Sequence, residues 1–168
     1  SQVVPRPLPR RVSVRLRRAS QYGCPVTERH RLVRVPASSA NLGPGYDVMA
    51  VALDIFLELE VRECGEFSVD CDLAGVPLDR DNLVVRAFET LHGADGINFK
   101  VGGDIPLARG MGSSAAAIVA GIVAADHLFE LGLSREEMLE HANRLEGHPD
   151  NVAAALSGGF VICAEQDG

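Results

Sequence analysis

Two glycines stand directly before the most apolar stretch of the chain, and this arrangement constrains the fold more than any other feature. The run Gly110-Met111-Gly112 leads into residues 113–129, whose apolar side chains nearly encircle a helix. A helix that is apolar on every side has to be buried. We therefore predict a central helix over 113–129 that the rest of the domain covers.

The composition is that of one globular domain. The chain has 168 residues, of which 46% are hydrophobic and 23% are charged, and a chain of this length can bury a sizeable core. The longest apolar run, Ala115 to Ala125, has eleven residues, whereas a membrane-spanning helix needs about 20. The four cysteines lack the close spacing of zinc or redox sites, so we predict reduced thiols in a cytoplasmic protein: Cys24, Cys64, Cys71 and Cys163.

Charge is distributed unevenly along the chain. Residues 1–34 contain nine arginines and one acidic residue, for a net charge of +8, and residues 35–168 contain seven basic and twenty-two acidic residues, for a net charge of −15. An acidic body argues against a nucleic-acid surface, because binding to phosphates needs clustered Lys and Arg. We predict that the Arg- and Pro-rich residues 1–30 form a disordered extension, and that residues 31–168 form the domain.

Periodicity predicts an α+β fold with a mainly antiparallel sheet. Residues 67–73 alternate like the preceding strand, and we expect the two to form a hairpin across Gly65. Residues 36–47 are rich in Pro, Ser, Asn and Gly and predict a loop. The remaining predicted strands are 32–35, 48–61, 97–101 and 160–164, and the remaining predicted helices are 81–91, 134–145 and 151–156.

The loop before the central helix predicts an anion site. Its glycines and the small residues Ser113 to Ala116 let an anion approach the unpaired N–H groups of a helix N-terminus. No Lys follows Gly112, so the chain lacks the Walker pattern of P-loop NTPases. A dinucleotide-binding pattern is formally matched, but no parallel strand follows the helix. The remaining alternative is a tight turn with close helix packing.

Two further segments carry polar side chains at predicted breaks. Residues 146–151, Glu-Gly-His-Pro-Asp-Asn, place two carboxylates, an imidazole and an amide together. A Mg·ATP enzyme needs such groups on the metal and at the accepting hydroxyl, although Asp150 or Asn151 could equally cap the next helix. In residues 36–47, Asn41 and Asp47 flank a Gly-Pro-Gly turn, where they could contact a polar substrate or serve only as turn formers.

Together the three segments resemble the GHMP kinase superfamily, and among its members the homoserine kinases. The resemblance rests on PLARGMGSSAAA, PASSANLGPGYDVMAVAL and EGHPDNVAAALSGG, and it covers about residues 31–168. It implies a fold like domain 2 of ribosomal protein S5. It also implies transfer of the γ-phosphoryl group of ATP to the side-chain hydroxyl of L-homoserine, with Mg²⁺ bound. Another small-molecule acceptor, as in mevalonate kinases, and a noncatalytic fragment of the fold are the alternatives.

The resemblance also implies roles for individual residues. Ser113 and Glu146 would bind Mg²⁺. Asn41, Asp47 and His148 would contact the substrate. Asn151 would orient the accepting hydroxyl, and Asp150 stands where some relatives have an acidic base, although positioning and charge neutralisation can carry the transfer. The ATP loop would comprise Pro106, Leu107, Ala108, Arg109, Gly110, Met111, Gly112, Ser113, Ser114, Ala115 and Ala116.

Members of the superfamily continue into a second domain with a further Gly-rich motif. Residue 168 comes four positions after the predicted strand 160–164. We therefore expect an N-terminal fragment with weak or no turnover. A homodimer is compatible with the sequence, and neither a nucleic acid nor a membrane is expected as a partner.

Overall fold

A mixed sheet covered by helices forms the protein. The computed structural model describes residues 12–16, 29–73 and 75–164. Its strands are β1 (Ser13–Leu16), β2 (His30–Leu42), β3 (Gly45–Glu63), β4 (Ser68–Cys71), β5 (Ile97–Gly103) and β6 (Phe160–Ile162). Its helices are α1 (Leu83–Glu89), α2 (Ser113–Phe129), α3 (Arg135–Glu146) and α4 (Pro149–Ser157). The predicted α+β class is confirmed.

Strand β3 is the organising strand of the sheet. The strand order is β1-β2-β3-β5-β4, and β6 pairs with the first part of β3. All pairs are antiparallel except β4 with β5. Alternate residues of β5 are buried, and they share one core with Val33 and Val35 of β2 and with the buried residues of α1 and α2, which cover this face of the sheet.

The predicted hairpin over 67–73 is wrong. Strand β4 lies parallel to β5, with Ser68 opposite Asn98, and not beside β3. Helix α1 connects β4 to β5, and a connection of this length allows a parallel neighbour. Alternation therefore identified a strand but could not identify its partner.

The predicted loop over 36–47 is also largely wrong. Strand β2 continues to Leu42 and β3 begins at Gly45, which leaves a turn at Gly43 and Pro44. Bulges between Pro36 and Ser38 and between Ala40 and Leu42 accommodate the irregular sequence within the ladder.

Residues 13–16 depart from the predicted disorder of the extension 1–30. They form β1, which pairs with residues 31–34 of β2 in an antiparallel register. The valines Val12 and Val14 pack against the core, and this burial explains the pairing. The rest of the predicted extension, apart from residues 12, 29 and 30, lies outside the described residues.

Helix α2 is the buried central helix that the sequence predicts. Most of its residues are buried, and it packs on α1, on β2 and β3, and on the later helices. Helix α3 begins with a capping box, in which the Ser134 hydroxyl accepts from Glu137 N while the Glu137 carboxylate accepts from Ser134 N. Helix α1, predicted over 81–91, is capped by Asn82, whose side chain accepts from Val84 N.

Candidate active site at the start of helices α2 and α4

The loop before α2 has the backbone of an anion-binding turn. Ala108, Gly110 and Gly112 adopt positive φ values of 55°, 68° and 60°. Gly112 is the N-cap residue of α2 and provides no side chain to cap the helix. The first-turn N–H groups are therefore left for another partner, and the helix dipole favours a negative one.

An apolar cavity of about 220 Å³ lies beside this loop. Its polar lining comes from the main chain and from Asn82, Ser113 and Ser114, and Asn82 is already engaged with Val84 N and Pro77 O. A flat heterocycle would suit such a volume better than a charged group would. The apolar lining includes Leu57, Val76, Leu83, Val101, Ile105 and Leu107.

The segment 146–151 joins two helices and brings its polar residues to the loop. Helix α3 ends at Glu146, and Gly147 caps it with φ 84°. His148 is the N-cap of α4 without a side-chain cap bond, and Pro149 occupies the first turn, where a missing N–H costs little. The His148 side chain is exposed to solvent.

Glu146 lies against the first turn of α2. The Ser114 hydroxyl donates to Glu146 Oε1 at 2.6 Å. Ser113, the serine singled out from the sequence, lines the apolar cavity together with Ser114. Its role as a metal ligand stays a prediction, and the structure adds Ser114 as a second candidate with a direct contact to Glu146.

Asp150 and Asn151 begin α4 and share hydrogen bonds. Asp150 is 2% exposed, and its Oδ1 accepts from Asn151 N at 2.6 Å, with Asn151 Nδ2 at 3.4 Å. A buried carboxyl group needs such donors, and the N-terminal end of a helix supplies them. The pair therefore places an acid and an amide beside the anion loop.

Ser38 of β2 connects the loop to α4, although its place in the sequence does not single it out. Its hydroxyl donates to Asn151 Oδ1 at 2.9 Å, and its N–H donates to Met111 O at 3.2 Å. Gly112 fits against this contact only without a side chain, because a Cβ there would lie 2.1 Å from Ser38 Oγ and 3.1 Å from Asn151 Oδ1. Ser38 lies in the segment 36–47, but the sequence alone does not distinguish it from its neighbour Ser39, because both are serines.

Asn41 and Asp47 flank the turn between β2 and β3. Asn41 has φ 59°, a left-handed conformation that Asn tolerates better than most residues. Only the backbone of Asp47, in β3, belongs to the described part of the structure. Their predicted contacts with a substrate stay predictions.

Cys163 lies near Asp150 and was not singled out from the sequence. Burial, together with the charge of Asp150, raises the pKa of the Cys163 thiol. Its N–H donates to Val48 O at 2.8 Å, which continues the pairing of β6 with β3. Within the described residues, Cys64, Cys71 and Cys163 are free thiols, as predicted, while Cys24 lies outside them.

Two kinds of feature are absent from the described ranges 12–16, 29–73 and 75–164. No helix there is long and apolar enough to cross a membrane. No group of three or more His, Cys, Asp or Glu side chains there is arranged to hold a metal ion.

Comparisons with known proteins support the resemblance carried by the three motifs. Residues 82–159 match the GHMP kinases N terminal domain. A homoserine kinase of Lactobacillus acidophilus is 46% identical over 138 residues, covering 81% of this chain and 48% of that protein. A homoserine kinase of Streptococcus agalactiae is 49% identical over 132 residues, covering 76% of this chain and 45% of that protein.

A solved structure is similar over the same region. The crystal structure of homoserine kinase from Cytophaga hutchinsonii matches with a TM-score of 0.68 and 28% identity, over 88% of this chain and 51% of that one. The chain spans about half the length of the curated relatives it matches. These matches confirm the resemblance to the GHMP kinases and the fold that the sequence predicted.

Proposed function

The chain carries a GHMP kinase N-terminal domain, and from this premise we propose that it supplies the ATP-binding part of a kinase that phosphorylates the side-chain hydroxyl of L-homoserine. The product is O-phospho-L-homoserine. The observation that carries the proposal is the meeting of three motif segments at the start of α2, where Ser114 contacts Glu146 and Ser38 contacts Asn151. The curated homoserine kinases similar to this chain support the choice of acceptor.

ATP would bind along the loop of residues 106–116. The uncapped first turn of α2 offers N–H groups and a favourable dipole to the phosphates. The apolar cavity beside Leu107 and Ser113 would accommodate the adenine. The positive φ of Ala108 supports this role, because strained backbone is retained most often where a ligand needs it.

Mg²⁺ would be held by Glu146 together with a serine hydroxyl. The resemblance implies Ser113 as this second ligand, and the contact with Glu146 makes Ser114 another candidate. Carboxylate and hydroxyl oxygens are ligands that Mg²⁺ accepts, and phosphates and water commonly complete its shell. The 2.6 Å contact shows that the two side chains reach a common point beside the anion loop. When bound, the ion would neutralise charge on the transferred phosphoryl group.

The residues at the start of α4 would orient the acceptor. Asn151 would hold the accepting hydroxyl in line with the γ-phosphorus, because an amide N–H can donate to the hydroxyl oxygen. Asp150, the neighbour of Asn151 in α4, would take the hydroxyl proton if a base is used. Asn41, Asp47 and His148 would contact the amino-acid part of the substrate.

The cysteines bear on where the reaction would take place. The free thiols of Cys64, Cys71 and Cys163 agree with a reducing compartment. The net negative charge of residues 35–168 argues against a nucleic-acid partner. We propose a cytoplasmic enzyme that acts on a small molecule.

Glu146→Gln tests the proposal, with Glu140→Gln as its control. Glu140 lies on the same helix but is exposed and paired with Arg144. We expect Mg·ATP to raise the unfolding midpoint of the unmodified chain and of Glu140→Gln, and to raise that of Glu146→Gln much less, because ligand binding stabilises the folded state. An unmoved midpoint in the unmodified chain would contradict the proposed nucleotide site.

The acceptor is tested separately by ADP release with homoserine, mevalonate and galactose. Homoserine-dependent release that Glu146→Gln lowers at least about tenfold would support the proposal. If ADP is released only with mevalonate or only with galactose, that compound, and not homoserine, is the acceptor. Nucleotide binding without release from any acceptor would indicate that this chain alone binds ATP without completing the reaction.

A further inference from the structure

Ser38 is the one buried hydroxyl that contacts both sides of the candidate site in the described structure. It is 0% exposed. Its N–H binds Met111 O in the anion loop and its hydroxyl binds Asn151 Oδ1 in α4. A side chain that is sealed from water and joined to two site segments is suited to fix their relative positions.

A β-bulge makes both contacts available. Pro36 pairs with Phe56 of β3, whereas Ser38 pairs with Ala52, so β3 contains extra residues at this point. Bulges re-aim side chains and release main-chain groups from the ladder. The Ser38 N–H accordingly reaches Met111 O in the loop.

The hydrogen bond also determines what the Asn151 amide can offer. Because Oδ1 accepts from Ser38, the oxygen end of the amide faces β2 and the NH₂ end faces away from it. The NH₂ group has two N–H donors. Only one long contact engages it among the described bonds, to Asp150 Oδ1 at 3.4 Å, so a donor is left for another acceptor.

We propose that Ser38 is a positioning residue that fixes the orientation of the Asn151 side-chain amide, so that its N–H donates to the accepting hydroxyl of the substrate. This inference rests on the proposed function and adds a residue to its machinery. Without the Ser38 hydroxyl, Asn151 Oδ1 loses the donor that holds it, and the side-chain amide rotates between orientations. The same loss weakens the link between the anion loop and α4.

Three variants separate the hydrogen bond from simple packing. Ser38→Ala removes the hydroxyl and leaves a small gap. Ser38→Cys fills the gap but is a weak donor, so a packing role predicts rescue by Cys and a positioning role predicts none. Ser39→Ala is the matched control, because Ser39 is the next residue of β2 and is only partly buried.

The first readout is the side-chain NH₂ signal of Asn151 in protein labelled with ¹⁵N-asparagine, assigned by its absence in Asn151→Ala. We expect Ser38→Ala and Ser38→Cys to shift or broaden this signal while the unfolding midpoint and the other asparagine signals stay close to those of the unmodified chain. Ser39→Ala should leave it unchanged. An unchanged Asn151 signal in Ser38→Ala would overturn the proposal.

The second readout is kinetic. If the unmodified chain phosphorylates homoserine, Ser38→Ala and Ser38→Cys should lower kcat about 10- to 100-fold and leave KM for ATP within about twofold, because the nucleotide contacts are retained. Equal rates, or full rescue by Cys, would overturn the proposal. If the unmodified chain binds ATP but phosphorylates no acceptor, the Asn151 signal alone decides whether Ser38 fixes the amide.

Discussion

Gly112 shows how one missing side chain shapes the candidate site. It combines a positive φ of 60° with close contacts to Ser38 and Asn151. Gly110, two residues earlier, has a similar φ of 68°, but a Cβ added there would meet nothing within 4 Å. Substitutions at the two positions therefore distinguish the free-energy cost of a left-handed backbone, which both share, from the cost of steric crowding, which arises only at Gly112.

Gly112→Ala should destabilise the protein more than Gly110→Ala. Both variants place Ala in the left-handed region, at a cost of about 1–2 kcal/mol. Only Gly112→Ala also pushes a methyl group to 2.1 Å from Ser38 Oγ, and such crowding typically adds about 1–3 kcal/mol. Urea unfolding of the two variants measures the difference, and equal losses would show that the loop relaxes away from Ser38.

The anion loop before α2 and the polar segment 146–151 could both be predicted as parts of the site, because each is marked by a local pattern in the sequence. Glycines before an apolar helix and a helix break at Gly147-His148-Pro149 can be recognised without knowledge of the fold. Ser38 could not be recognised in this way, since its importance depends on a bulge and on a contact with Asn151, 113 positions away in the chain.

At the scale of elements, the crossing of α1 and α2 depends on Gly121. A Cβ at this position would lie 2.3 Å from Val84 O, 2.8 Å from Ala87 Cβ and 3.0 Å from Phe88 N. The backbone of α1 thus rests directly on α2. This contact holds α2, and with it the anion loop at its start, against the rest of the core.

Gly121→Ala should destabilise the protein although alanine is the better helix former. The helical preference of Ala favours the variant by about 1 kcal/mol, but separation of α1 from α2 should cost about 1–3 kcal/mol or more. We expect a net loss in the free energy of unfolding, measured with urea. A gain in stability would contradict the close packing.

A second substitution checks the cause. Ala87→Gly removes the Ala87 methyl group but leaves Val84 O, a main-chain atom that cannot move aside easily, at 2.3 Å. The double variant Gly121→Ala with Ala87→Gly should therefore not regain the stability of the unmodified chain. Full recovery of stability would show that the Ala at position 121 clashes only with the Ala87 side chain.

Element partners were harder to predict than the elements themselves. The alternation of residues 67–73 correctly indicated a strand, but the hairpin was wrong because pairing with β5 depends on where α1 leads the chain. Residues 36–47 have the composition of a loop, yet most of them pair within β2 and β3. Tertiary pairing outweighed local preference in both cases.

At the scale of the whole molecule, β3 holds the sheet together, and Glu60 on β3 links it to the start of β2. Glu60 Oε1 lies 2.9 Å from His30 Nε2, and Arg62 also donates to it. Burial acts to raise the pKa of Glu60, but the hydrogen bond and charge of Arg62, with a further contribution from His30, lower it overall. The charged form of Glu60 is therefore favoured in the folded protein.

Glu60→Gln should weaken the dependence of stability on acid pH. Because the folded-state pKa lies below that of the unfolded chain, the contribution of Glu60 is complete above the unfolded value, about 4.3, and is lost as the pH falls through the folded value. Urea unfolding between pH 7 and pH 3 measures this loss. We expect a smaller fall in the variant than in the unmodified chain.

Glu58→Gln serves as the control for this experiment. Glu58 is on the same strand and pairs with Arg34, but its side chain is about half exposed. Its removal should change the acid limb of the stability curve less than Glu60→Gln does. A larger effect of Glu58→Gln would contradict the role assigned to Glu60.

Helix α4 is attached at both ends to one short stretch of the β2–β3 ladder. Near its start, Asn151 accepts from Ser38, and just after its end, Gly159 O accepts from Ala52 N, the residue opposite Ser38. A helix tethered in this way has little freedom to swing. A molecule that docks at its first turn meets a surface whose shape was set when the chain folded, so little ordering entropy remains to be lost on arrival.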